Sequence, residues 1–305
     1  MTATISRRDL LHIGGGTAAT LGLSAMAGEL ASVSALAERG PVSDGSKEEQ
    51  AVTAVAVDAG AQLFYRDDWL GEPWRKPEAA LLIHGVYESS IAWFGWVPRM
   101  AQEFRVLRPD LPGFGQSKIP GGFEWSMASL TSVLAHFLDR VGVESAHIIG
   151  AKFGGSIAMQ FAADYPRRTR TLVVASGPTT RPVISSTSPT APQGARLGSS
   201  ASKEEVDYWN NMMAAANPEA TRGASTVFST LNLDGVLPRI TAPTLVITSD
   251  RSPLQSVETV LRYQQKIPKS RLLVLSSDAY HVAVAKADEC VTGVLAFIKE
   301  TGPRA

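Results

Sequence analysis

From residue 51 onward the chain alternates between two hydrophobic rhythms. Short apolar, β-branched runs recur at Ala51–Val57, Gln62–Tyr65, Ala80–His84, Phe104–Leu107, Ala146–Gly150, Thr171–Ala175, Thr244–Thr248 and Arg271–Leu275, and each reads as a strand. Between most of them lie amphipathic segments of helical length: Ile91–Glu103, Met127–Val141, Phe153–Tyr165 and Leu254–Ile267, with Val282–Lys299 after the last strand. A short turn joins the first two strands. The strand-then-helix repetition that follows predicts a mostly parallel eight-stranded sheet flanked by helices, an α/β architecture. In such sheets the binding crevice lies at the carboxyl ends of the strands. No internal repeat is present.

One stretch breaks the rhythm. The residues between Gly177 and Pro243 carry no strand pattern and exceed an ordinary connection. Their start, Val183 to Ser202, is rich in Ser, Thr, Pro, Gly and Ala and reads as a loop, whereas Glu204–Ala216 and Glu219–Thr230 read as helices. An insertion at this edge predicts a lid over a pocket, spanning about residues 178–242, or else a subdomain with no role in the chemistry.

The N-terminus follows a different pattern. Ile5-Ser6-Arg7-Arg8-Asp9-Leu10-Leu11 precedes a modestly apolar, Gly/Ala-rich stretch from Ile13 to Ala27 and two small-residue sites, Ala25-Met26-Ala27 and Ala35-Leu36-Ala37. The stretch is short and glycine-rich, which argues against a stable membrane span. The order of features resembles a twin-arginine export signal with Arg7-Arg8 as the pair. That resemblance implies a signal and leader over residues 1–37, a linker over 38–50 and a folded domain over 51–305. It also implies passage through the twin-arginine export machinery to a periplasmic or secreted destination.

Composition narrows the function classes. Of 305 residues, 44% are hydrophobic, and 29 basic residues balance 29 acidic ones, which excludes a disordered chain and removes any global electrostatic case for nucleic-acid binding. A lone cysteine, Cys290, sits in an apolar helical pattern, without a partner for a disulfide or a zinc site. Of the histidines, His12 lies in the N-terminal signal, His84 is assigned a structural part, His136 and His147 receive no role, and no carboxylate cluster accompanies them, so neither a metal nor another cofactor is expected.

Four segments in fixed order resemble the α/β-hydrolase superfamily. His84-Gly85 follows the third strand. Asp110-Leu111-Pro112-Gly113-Phe114-Gly115-Gln116-Ser117 matches D-x-P-G-x-G-x-S after the fourth. Gly150-Ala151-Lys152-Phe153-Gly154 occupies the strand-to-helix turn of the nucleophile elbow, G-x-S-x-G, and Tyr280-His281 follows the last strand, where the family places its histidine. The resemblance implies an oxyanion hole built from the amides of Val86 and Phe153. Position at the strand ends makes Gly85, Tyr87, Glu88 and Trp93 pocket candidates, with core packing the commoner fate of aromatics at helical spacing. Glu88 follows the same loop. Asp110 and Gly115 are expected to hold the loop after strand four, and Ser156 is rejected as a displaced nucleophile.

The chain departs from that pattern at two triad positions. Lys152 stands where the nucleophile is expected, and the usual acid position aligns with Ser252, leaving Asp250 or Asp278 as substitutes that could orient His281. A lysine at the start of a helix and partly buried loses affinity for its proton, which suits it to base or Schiff-base chemistry. An acyl-lysine is an amide and turns over slowly, so a double-displacement hydrolase through Lys152 is disfavoured. Three readings stay open: lyase, base or Schiff-base chemistry on a small carbonyl, ester or acid substrate through Lys152 and His281; an ester, lactone or amide hydrolase with directly activated water; and a degenerate protein that binds a small ligand without turnover.

Overall fold

The computed structural model describes residues 53–58, 61–181 and 196–301. The export signal expected over residues 1–37 and the linker over 38–50 lie outside them. Eight strands form one sheet: β1 (Thr53–Asp58), β2 (Ala61–Asp68), β3 (Ala79–Ile83), β4 (Arg105–Pro109), β5 (Ala146–Ala151), β6 (Thr169–Ala175), β7 (Thr244–Ser249) and β8 (Ser270–Leu275). Their order is β1-β2-β4-β3-β5-β6-β7-β8. β2 pairs antiparallel with β1 and β4, and every pairing from β4 through β8 is parallel.

Both faces of the sheet are covered, and the two-residue period of the central strands shows how. Leu81 and Ile83 of β3 and Ile148 of β5 enter one apolar core. Their neighbours Ala80, Leu82 and Ile149 enter the other. α2 (Met127–Arg140) and α3 (Phe153–Asp164) fill the first core, while α1 (Val97–Met100) and α8 (Ala287–Thr301) fill the second. The expected Cys290 is buried in the second core.

Two expected helices are broken, for local reasons. Ile91–Glu103 resolves into a single 3-10 turn at Ser90–Trp93 and the short α1, with Gly95 between them and Pro98 in the first turn of α1. Val282–Lys299 divides at Lys286 into α7 (Val282–Ala285) and α8. The helix expected from Leu254 begins only where Ser256 caps α6 (Val257–Gln264), its hydroxyl accepting from the Thr259 amide.

Between β6 and β7 the chain forms α4 (Lys203–Ala214) and α5 (Pro218–Ser229), close to the two expected helices. Ser202 and Glu205 close a capping box on α4, and Asn217 caps α5. Both helices reach the strand ends: Trp209 packs edge-on against the ring of His281 at 5.2 Å, and Phe228 against Phe153 at 5.7 Å. Among the described residues no helix is long and apolar enough to cross a membrane.

Candidate functional site

β5 runs directly into α3, and the turn between them is strained. Lys152 has φ 54° and ψ −123°, a conformation that costs a side-chain-bearing residue free energy and persists only where its surroundings enforce it. The flanking glycines are required by close approach. A Cβ on Gly150 would fall 2.2 Å from the Gly154 carbonyl oxygen, and one on Gly154 would fall 2.2 Å from that of Ile83. The Lys152 amide donates to the Ala175 carbonyl at 2.9 Å, tying the turn to β6. The G-x-x-x-G spacing therefore places Lys152 at the apex of a tight elbow above the sheet.

The side chain does not reach bulk water. Lys152 is 3% exposed, and its Nζ donates to Oε1 of Glu88 at 2.5 Å. The same Oε1 lies 3.0 Å from Nε2 of His281. That second contact lies off the line a directed ring hydrogen bond would need, and both ring nitrogens of His281 lack a hydrogen-bond partner, so the attraction is electrostatic. Glu88's other oxygen accepts from the Gly85 amide at 2.9 Å. One fully buried carboxylate thus bridges an amine and an imidazole.

Burial and charge decide the protonation states. Loss of hydration pushes Lys152 down to about 8, against the pull of Glu88 and with a further push from the Arg196 guanidinium. For Glu88 burial works to raise the pKa, but the charges of His281 and Lys152, with the hydrogen bond from Lys152, outweigh it and hold the carboxyl well below its ordinary range. Burial lowers the pKa of His281, with Glu88 opposing and Lys152 adding to the fall. Near neutral pH the resting set is an ammonium, a carboxylate and a neutral imidazole, with no net charge.

A cavity of about 270 Å³ opens beside this set, lined by Val86, Tyr87, Lys152, Phe153, Phe228, Tyr280 and, at one side, Arg181 and Arg196. The expected oxyanion donors Val86 and Phe153 both lie on its wall. Phe153 starts α3, where the first amides have no helical acceptor. Tyr87 takes φ 69° in the same loop, and Gly85 is packed so that an added Cβ would approach Glu88 and Lys152 within 3.1 and 3.2 Å.

Other expected residues are placed elsewhere. Trp93 is 2% exposed within the core beneath the sheet, its ring 5.0 Å from that of Trp96, so it packs rather than lines the cavity. Asp250 accepts from the Ser277 amide on an exposed loop, and Asp278 accepts from the Ser199 amide. The charges acting on His281 are those of Glu88, Lys152 and Arg196, so neither aspartate orients it. Ser252 brings no carboxylate, and its buried hydroxyl has no partner. Glu88 stands where those substitutes were sought. Its signal in the sequence was a carboxylate next to Tyr87, just beyond the oxyanion loop. Ser156 donates to the Pro178 carbonyl at 2.6 Å and faces away from the site. Among the described residues no group of three or more His, Cys, Asp or Glu side chains could hold a metal.

Residues 80–197 match a family profile described as the alpha/beta hydrolase fold. An uncharacterized protein of Mycobacterium tuberculosis is 38% identical over 106 residues, 34% of this chain and 31% of the relative. A 2-hydroxy-6-oxo-2,4-heptadienoate hydrolase of Pseudomonas putida is 33% identical over 97 residues, 31% of this chain and 35% of that one. The chain thus matches about a third of the length of these curated relatives. Across the whole fold, the enol-lactonase of Burkholderia xenovorans superposes with a TM-score of 0.69 at 19% identity, covering 81% of this chain and all of that one.

Proposed function

We propose, for this chain of the α/β-hydrolase superfamily, an exported enzyme that works on a small carbonyl compound with Lys152 as its reactive amine. The observation that carries the reading is the single carboxylate oxygen shared by Nζ of Lys152 and Nε2 of His281. Moving a proton from the ammonium to the imidazole across that oxygen frees the amine without changing the site's total charge. At pH 7 and a pKa of about 8, roughly one amine in ten is already neutral.

The neutral amine attacks the carbonyl carbon, forming the N–C bond while the carbonyl π electrons move onto oxygen. The amides of Val86 and Phe153, both residues of the cavity wall, are the donors proposed for that oxyanion. The imidazolium returns its proton to the oxygen, water leaves, and a protonated imine remains as an electron sink for C–C cleavage, decarboxylation or proton abstraction at the adjacent carbon. Hydrolysis of the imine restores the amine. The insertion's helices α4 and α5 act as a lid: Trp209 shields His281 and Phe228 closes the wall beside Phe153, keeping the amine poorly hydrated. The order of Arg7-Arg8, apolar stretch and small-residue sites supports export by the twin-arginine route.

Borohydride reduction with a panel of small aldehydes and ketones tests the reading. Intact mass should show one adduct, peptide mapping should place it on Lys152, and Lys152→Met should abolish it. No adduct with any carbonyl overturns the Schiff-base chemistry. A second reading, hydrolysis of an ester or lactone by water activated at His281, is favoured by the two amides on the cavity wall and by relatives that are hydrolases. Ester turnover lost in His281→Ala but kept in Lys152→Met would select it.

A further inference from the structure

We propose that the substrate is a small carbonyl compound that also bears a carboxylate, held by Arg196 with Arg181 beside it; this deepens the reading of Lys152 as the reactive amine. Three cationic side chains, Lys152, Arg181 and Arg196, line one cavity, and no Asp or Glu is among the described residues on its wall. Glu88, beneath Lys152, is already engaged by two bases. The cavity wall therefore carries two positive charges more than its own carboxylate balances, with Lys152 buried, Arg196 half-buried and Arg181 exposed, and such a surplus attracts an anion from outside.

Arg196 is held for this task. Its carbonyl accepts from the His281 amide at 2.8 Å, which fixes its position relative to the site. Its guanidinium carbon lies 6.0 Å over the ring of Tyr280, itself on the cavity wall. Yet its Nε is buried and has no hydrogen-bond partner. An orphaned donor on a guanidinium at a cavity wall is costly unless a ligand satisfies it, and a planar carboxylate matches the paired donors of the fork. The opposite wall is apolar, with Val86, Phe153, Ala224 and Phe228. A cavity of about 270 Å³ with a cationic side, an apolar side and an amine at its floor fits a short-chain or aryl-substituted oxo acid. A substrate carboxylate on Arg196 would leave its carbonyl carbon to meet Nζ of Lys152.

The probes are 2-oxo-4-phenylbutanoate and its methyl ester, which differ by the negative charge. Two measurements are made on the full chain: the rate of borohydride-trapped labelling, and the rise in melting temperature on adding the probe without reductant. The acid should label about 10- to 100-fold faster than the ester, the ratio a charge-assisted hydrogen bond supplies. In Arg196→Gln that ratio should fall to about one, while Arg196→Lys should recover part of it. The acid, and not the ester, should raise the melting temperature of the wild type, and this rise should vanish in Arg196→Gln. Circular dichroism on the two variants establishes that both fold, and Arg181→Gln gives an independent loss of preference if Arg196→Gln does not. Thermal stabilisation by the acid without any labelling would keep the anion site and remove only the lysine chemistry. Equal labelling and equal stabilisation by acid and ester, or a preference unchanged in both arginine variants, overturns the proposal. Stabilisation by inorganic phosphate but by neither probe also overturns it and points to a phosphorylated ligand.

Discussion

Two buried ionic clusters meet on the loop after β3, and they are finished differently. The first joins Arg108, Asp68, Asp110 and His84. Arg108 pairs with Asp68 at 2.7 Å and also donates to the Ser90 carbonyl. Asp110 accepts from the amides of Ser90 and Gln116, and Ser117 donates to its carbonyl while accepting from the Phe64 amide. His84 donates through one ring nitrogen to the Gly85 carbonyl and accepts the Leu111 amide on the other, which makes it a neutral fixed tautomer, in keeping with the fall in its pKa on burial. The second cluster, Lys152–Glu88–His281, has comparable burial but leaves both ring nitrogens of His281 without hydrogen bonds and opens onto a cavity. A saturated network holds a loop; an unsaturated one beside a cavity still has bonding capacity for a substrate.

The sharpest way to break this contrast is to remove the central carboxylate from each cluster. Glu88→Gln takes away the atom that links amine and imidazole, and the rate of borohydride trapping at pH 7 should fall about 10²- to 10⁴-fold, the range for loss of positioned acid–base assistance. Asp110→Ala should leave the trapping rate per folded molecule unchanged. An equal loss from both substitutions would mean that the two clusters do the same job.

The second effect is on stability, and there the order reverses. Asp110→Ala orphans the buried Ser90 amide, at about 1–3 kcal/mol, and leaves the amide of the exposed Gln116 to water, and should lower the melting temperature by roughly 2–12 °C. Glu88→Gln has one oxygen where Glu88 uses two; at pH 9 that oxygen can take the Gly85 amide while the neutral amine of Lys152 accepts from the new NH2, so there its thermal loss should be the smaller of the two. Thermal denaturation of both variants at that pH decides this, and a larger loss in Glu88→Gln would show that the catalytic cluster is also the main support of the loop.

The same contrast explains what could be read from the residues alone. Strand periodicity located all eight strands, the central β3 to β7 because both faces of the sheet there must be apolar, and the G-x-x-x-G spacing located the elbow because no other residue fits against the Ile83 and Gly154 carbonyls. The D-x-P-G-x-G-x-S stretch marked Asp110 for the same reason: Gly115 lets the aspartate sit where a Cβ would come within 2.1 Å of its oxygen. Glu88 read as a pocket candidate but not as the carboxylate beside Lys152 and His281, because those partners are distant in sequence and no spacing rule ties a loop carboxylate to them. Trp93 was misplaced because aromatics at helical spacing look alike whether they face a core or a cavity. Arg196 lay in a Ser/Pro/Gly-rich stretch that reads as loop, and the bond from the His281 amide to its carbonyl and its contact with Tyr280 set it beside the site.

The smallest expected effect is the response of each cluster to alkali, and it separates them by sign. Lys152 has an ordinary value of 10.5 and is pushed down to about 8 by burial. Folded chains therefore hold fewer protons than unfolded ones between those values, so stability attributable to this group rises with pH across that window; below about 8 the cost of burying the ammonium is fully present. Glu88 acts at the other end: its depressed pKa adds stability that is present above its ordinary 4.5 and is lost as pH falls below that toward the folded value. The trapping rate should climb about tenfold from pH 7 to 9 as the neutral amine fraction grows from about one-tenth to about nine-tenths. Over the range from pH 8 to 10 the melting temperature of the wild type should gain on that of Lys152→Met, which has no proton to lose at this position. Asp110→Ala should track the wild type in parallel, since it keeps Lys152 and its surroundings. A wild-type advantage over Lys152→Met that stays flat from pH 8 to 10 would mean that the amine keeps its proton as firmly as it does in water, and with that the distinction between a saturated and a reactive cluster would lose its chemical content.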